Sequence, residues 1–243
     1  MSEIKVSYAE LKKLDKPQSG WISKNINSPL SYVISLICIK LRLSANQVTL
    51  FSLIVALFSC FLMTQSRSRF CVIISGGLWY FFSIVDHADG VVARFNKQQS
   101  YRGGWLDSIV GHVSYALMLV CVSFGMYGLT HQFIYFYILF FCAGFLALAM
   151  VPLYCWMIRM RESSTESYNQ LLQKPVKTRI NFLTRLLIGL KYYAKGQFTR
   201  LIVFALALVG CYPLIYGFFM LWALLVALGI LLTIKIRPSA PCF

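Results

Sequence analysis

Residues Asp86 to His112, DHADGVVARFNKQQSYRGGWLDSIVGH, decide how this chain is to be read. Their acids stand at the ends of apolar runs long enough to cross a bilayer. A carboxylate there is costly to bury, so intramembrane acids mark functional sites. Asp86, Asp89, Gly90 and Ala93 fall at i, i+3, i+4 and i+7, which places them along one face of a helix. Asp107 follows a polar connector, Asn96 to Gly104, and opens the next apolar run, so it can face the first two acids across a helical hairpin. Three carboxylates from two adjoining helices form an all-oxygen donor set, suited to Mg²⁺ or Mn²⁺ rather than zinc. Gly90 and Ala93 share that face with almost no side chain and leave room for a ligand beside the acids.

Asp86, Asp89, Gly90, Ala93, Arg94, Gly103 and Asp107 are spaced as D-x2-D-G-x2-A-R-x8-G-x3-D. The pattern resembles the signature of the CDP-alcohol phosphotransferase family as far as its third Asp. The family pattern continues to a fourth Asp, four residues after the third; this chain has Gly111 there, followed by His112. Ser44 to Leu50 (SANQVTL) is similar to the PNxVT segment that opens the first span in that family, with Ala45 where proline is usual. The stretch QQSYRGGWLDSIV resembles members whose third motif reads GGWLD and runs on into two adjacent acids, which here are Gly111 and His112. The resemblance covers about residues 44 to 115; beyond them only the layout of spans agrees.

The resemblance implies transfer of a substituted phosphoryl group from a CDP-linked donor, CDP-diacylglycerol or similar, to a lipid or small alcohol acceptor, with release of CMP. Asp86, Asp89 and Asp107 would hold two Mg²⁺ or Mn²⁺ ions. Gly90, Ala93 and Gly103 would let the nucleotide approach the backbone. Asn46 and Thr49 would contact the nucleotide, although both are also ordinary polar residues for a helix start. Arg94 would neutralise phosphate or pair with an Asp, or snorkel to the interface. A homodimer is implied as well. In the family the fourth Asp resembles the base that activates the acceptor. Gly111 leaves three alternatives: His112 takes over as base, the acceptor needs none, or the protein binds nucleotide and metal without turnover. His112 lies about 140° around the helix from Asp107, and the fourth-Asp position about 40°. His87 is another possible base, read more simply as a polar residue at the headgroup boundary.

Composition agrees with a membrane enzyme. The 243 residues are 58% hydrophobic, with 8 acids and a net charge of +15, the profile of an all-α polytopic membrane protein. The expected architecture is six transmembrane helices, at 48–64, 70–92, 104–129, 133–157, about 200–216 and 217–234, preceded by an amphipathic interfacial helix at Pro29–Leu43 that is too short to span. The expected break between the last two spans lies near Cys211-Tyr212-Pro213. Two segments follow from this: a cytoplasmic N-terminus with its interfacial helix, 1–43, and the membrane domain, 44–243. A second surface helix is expected at Asn181–Tyr193. The N-terminus is polar and charged, without signal-peptide character, so the first span is expected to direct insertion.

Charge sets the orientation. Of the Lys and Arg residues, 21 fall on the N-terminal side of the six-span layout and only Arg67 and Arg69 on the other. The bias places both termini and the acidic hairpin on the cytoplasmic side. These basic residues flank apolar spans, where they meet lipid headgroups, and no basic aromatic module points to nucleic acid. Lys97, Arg102, Arg159, Arg161 and Arg200 are candidates to bind a phosphorylated acceptor, each more simply a topology determinant. The 8 cysteines lack CxxC or CxxH spacing and read as small apolar residues. An intramembrane prenyltransferase would need a second Asp-rich motif, and a transporter would need polar residues at the bilayer midplane.

Overall fold

A computed structural model describes residues 6–15, 23–162 and 196–236. Those residues form helices and their connections. α1 spans Tyr8–Leu14, and a π-helical turn (Ser23–Asn27) leads into α2, Ser28–Lys40. α3 (Ala45–Thr64), α4 (Arg69–Phe95), α5 (Tyr101–Thr130) and α6 (Ile134–Glu162) follow, then α7 (Gly196–Val209) and α8 (Tyr212–Ile236). The surface helix expected at Asn181–Tyr193 lies outside the described residues.

Serines start the helices that carry the site. Ser44 accepts from the Gln47 amide while the Gln47 side chain accepts from the Ser44 amide at 2.8 Å, a reciprocal cap that fixes the first turn of α3. Ser68 caps α4 through the Cys71 amide, and Ser100 caps α5 through the Gly103 amide at 3.0 Å. α4 ends just past Arg94. Lys97 adopts a left-handed conformation (φ 55), and the Gln98 amide donates back to the Ala93 carbonyl at 2.9 Å. This satisfies an end-of-helix carbonyl and turns the chain toward α5.

Ala45–Thr64, Arg69–Phe95 and Gly103–Thr130 are each long and apolar enough to cross a membrane, while Ile134–Leu148, Thr199–Val209 and Tyr212–Leu228 are shorter apolar helical stretches among the described residues. The chain is an integral membrane protein. The last two apolar helices divide beside the break expected near Cys211-Tyr212-Pro213, ahead of the boundary drawn between Tyr216 and Gly217. α7 stops at Val209, Gly210 takes φ +79, and α8 begins at Tyr212, so Tyr216 and Gly217 lie inside one helix. Proline accounts for the placement, because Pro213 sits in the first turn of α8, where its missing N–H costs nothing. A side chain at Gly210 would press on Arg69 Nε at 2.9 Å.

The chain divides into two units, Met1–Phe136 with Lys195–Phe218, and Tyr137–Ala194 with Phe219–Phe243. In the second, Phe145, Leu146 and Val226 pack around buried Ala227. In the first, α4 is central and packs against α3, α7, α2 and α1, while α5 packs on α3. α4 approaches α7 most closely at Gly76, where an added Cβ would lie 2.8 Å from the Ala207 Cβ. α2 turns its small polar face inward. Ser28, Ser31 and Ser35 are buried against α4, and Ser35 donates to the Ala88 carbonyl at 3.3 Å; Leu30, Val33, Ile37 and Leu41 are exposed. Its polarity is therefore inside out relative to a helix lying on a soluble core.

Candidate active site

The site is built on the C-terminal half of α4 and the opening turns of α3, α5 and α7. Asp89 is buried, and its Oδ2 accepts from the Thr49 hydroxyl at 2.6 Å. Both residues were expected in the site, Thr49 as a nucleotide contact; the structure places its hydroxyl on the carboxylate. Thr49 also lies 3.1 Å from the Ala45 carbonyl. A hydroxyl has one proton to give, and the shorter bond to a carboxylate is the stronger use of it. Asp86 lies one turn back, its Oδ2 accepting from Arg200 Nη1 at 3.3 Å. Its other oxygen, Oδ1, is buried without a hydrogen-bond partner. Asp107, exposed on the first turns of α5, is close enough to Asp86 and Asp89 for the three charges to act on one another.

The small residues lie at the helix openings and on α4 near the acids. Asn46 Oδ1 lies 3.6 Å from where a Gly103 side chain would begin, so the opening of α3 meets the opening of α5. Gly90 lies beneath Arg94, whose Nη1 would be 3.3 Å from an added Cβ. Ala93 anchors the end of α4 through its carbonyl. Around Gly111 an added Cβ would meet nothing within 4 Å, so the position of the fourth acid is open space. His112 Nδ1 lies 2.6 Å from the Ser108 carbonyl. A carbonyl only accepts, so Nδ1 is the donor in this bond.

Two residues outside the sequence pattern complete the site. Arg200, at the start of α7, is buried. Its guanidinium carbon sits 4.1 Å from the Phe82 ring centre, 5.3 Å from Tyr115 and 5.7 Å from Trp79, while Nη1 holds Asp86. It is an interior cation rather than the headgroup or topology residue expected. The weak available signal was its position, a cation at the start of an apolar run. The second is Asp15, directly after α1, which bonds Arg94 and His87 at 2.9 and 3.3 Å. His87 Nε2 also lies 3.3 Å from the Ser28 hydroxyl, so the ring sits among polar partners on α2 and on the connection that follows α1.

Among the described residues no three His, Cys, Asp or Glu side chains stand together as a finished metal cage. Asp89 is turned toward Thr49, and Asp86 is partly turned toward Arg200. The residues still fit a hard divalent cation. The donors are all carboxylate oxygens, and Asp86 Oδ1 is a buried anionic oxygen lacking the partner such a group needs.

The fold and these residues define a polytopic helical membrane protein with an acidic site at the ends of its central helices. Residues 42–234 match the CDP-alcohol phosphatidyltransferase family, and the chain belongs to it. It is also 35% identical over 104 residues to the bifunctional IPC transferase and DIPP synthase of Archaeoglobus fulgidus, a match that takes in 43% of this chain and 20% of that protein.

Proposed function

We propose that the protein transfers a substituted phosphoryl group from a membrane-presented CDP-alcohol to an acceptor hydroxyl, with two Mg²⁺ or Mn²⁺ ions held by Asp86, Asp89 and Asp107. The carrying observation is the partnerless buried Oδ1 of Asp86 on a hairpin whose three acids are near enough for their charges to act on one another. When bound, the cations would neutralise the pyrophosphate and the charge on the attacking and leaving oxygens. Everything else falls to the chain. Thr49 orients Asp89. Arg200 fixes one oxygen of Asp86 and leaves the other for a ligand. Gly90, Ala93 and Gly103, with Asn46 beside Gly103, leave a surface that a nucleotide can approach closely. The acceptor oxygen forms its bond to the β-phosphorus as the bond to CMP breaks, and the acceptor's proton must leave.

In this reading His112, whose Nδ1 donates to the Ser108 carbonyl, accepts that proton. The open space at Gly111 gives the acceptor room. That same gap favours one alternative, a member that binds nucleotide and metal without ordinary transfer. The working unit is a homodimer of six-span protomers, with α2 at the cytoplasmic interface and both termini and the site on the cytoplasmic side. The charge distribution supports that orientation. Mn²⁺-dependent CMP release from a panel of CDP-alcohols tests the reading; nucleotide and metal binding without release from any donor would favour the alternative.

A further inference from the structure

Arg94 ends the acidic face of α4 with a long cationic side chain five residues from Asp89. Left to itself, such a guanidinium turns to the nearest carboxylates, Asp86 and Asp89 on α4 and Asp107 on α5. The structure instead pairs it with a fourth. Asp15 Oδ1 accepts from Arg94 Nη2 at 2.9 Å, and the pair is largely buried, with side chains 16% and 5% exposed. The other oxygen of Asp15 faces the Tyr32 hydroxyl at 2.8 Å, the Ser28 hydroxyl at 3.2 Å and His87 Nε2 at 3.3 Å. Burial, and then the bond to Asp15, push the Tyr32 hydroxyl up to about 12, so it stays a donor at any physiological pH. α1 delivers the carboxylate: Leu11 is fully buried in a cluster with Tyr32, Ile39, Val91 and Val92. So held, the guanidinium lies over Gly90, with its Nε–H buried and unpaired.

We propose that Asp15 is a positioning residue for the transferase site. It draws Arg94 away from Asp86, Asp89 and Asp107 and fixes it over Gly90, where it meets the anionic part of the nucleotide donor. Asp15 lies ahead of the family-matched segment, so an element outside the family's own residues sets the geometry of a motif arginine. The inference rests on the transferase reading above.

The test is equilibrium dialysis of CMP with full-length protein in detergent with Mn²⁺, comparing wild type, Asp15→Asn and Asp15→Glu and following thermal unfolding in parallel. The asparagine keeps shape and still accepts from Tyr32, but it loses the charge that holds the arginine. CMP affinity should fall roughly tenfold in Asp15→Asn, the effect of one charge-assisted hydrogen bond, and return largely in Asp15→Glu, with the unfolding midpoint of both near wild type. Wild-type CMP affinity in Asp15→Asn overturns the proposal. If Asp15→Asn does not fold, Tyr32→Phe decides: it leaves the charge but loosens the carboxylate, and CMP affinity should fall about threefold for a weaker, neutral bond, whereas no change overturns the proposal. Failure of the wild type to bind CMP at all would instead strike the transferase reading itself, and the inference with it.

Discussion

Replacing Thr49 by valine removes one hydroxyl and keeps the shape of the side chain, so it isolates the bond to Asp89. Valine is β-branched like threonine and fits the same helical rotamer. The Ala45 carbonyl that Thr49 also approaches lies within α3, where the helix supplies its own donors. What is lost is a 2.6 Å charge-assisted bond to a carboxylate that is 6% exposed. Such bonds contribute about 1.5–3 kcal/mol, equivalent to roughly 10- to 150-fold in an equilibrium constant. Groups that orient metal ligands typically affect metal affinity by about 10–100-fold. The two estimates overlap, so the Mn²⁺ concentration giving half-maximal CMP release should rise about 10- to 100-fold. Activity at saturating Mn²⁺ should largely recover, and Thr49→Ser should behave close to wild type. The assay is a Mn²⁺ titration of CMP release, with thermal unfolding in metal-free buffer to establish that the variant is folded. A folded Thr49→Val protein with an unchanged Mn²⁺ midpoint would refute the link from Thr49 through Asp89 to the metal.

Three further perturbations test other parts of the account. Arg200→Gln strips Asp86 of its cation and the aromatic ring cluster of its charge; breaking a buried pair costs about 3–5 kcal/mol. Its unfolding midpoint should drop well below wild type and CMP release should be nearly abolished, and Arg200→Lys should rescue poorly because an ammonium cannot stack on Phe82. Gly111→Asp should fold normally, since its Cβ meets nothing within 4 Å, and CMP release should be unchanged or lower; a large gain would mark the site as a disabled version of an ordinary one. Gly125→Ala would drive its Cβ into the Tyr212 hydroxyl, which sits 2.8 Å from the Met63 carbonyl and 3.2 Å from that of Val122. Overpacking of this kind costs about 1–3 kcal/mol, so thermal unfolding should shift down while the Mn²⁺ midpoint of the surviving protein stays put.

The helices and the acidic hairpin were readable because local rules govern them. Apolar run length gives the long helices, serine and glutamine mark their starts, and the spacing of Asp86, Asp89 and Gly90 puts them on one face. The approach of Asn46 to Gly103 joins two helix openings that are read separately in the sequence. Arg200 and Asp15 were hidden for the opposite reason. Each acts on a residue far away in the chain, Arg200 on Asp86 and Asp15 on Arg94, and no periodicity encodes such a pairing. Asp15, close to Lys12, Lys13 and Lys16, looks like a solvated residue until α1 is folded onto α2 and α4. The serines of α2 face inward because in a membrane the outer surface is apolar and small polar residues pack inside, bonding to backbone carbonyls. The break before α8 falls beside the expected Cys211-Tyr212-Pro213, while the boundary drawn between Tyr216 and Gly217 ran past it; Pro213 begins α8 rather than ending α7.

The most direct test of the central claim is CMP release by the purified protein with and without Mn²⁺, using CDP-diacylglycerol and soluble CDP-alcohols as donors, each with and without candidate acceptors. Asp89→Asn serves as the matched control. The account predicts release that requires the metal, depends on the donor, and disappears in Asp89→Asn while the variant stays folded. Full activity in Asp89→Asn with unchanged metal dependence would contradict it.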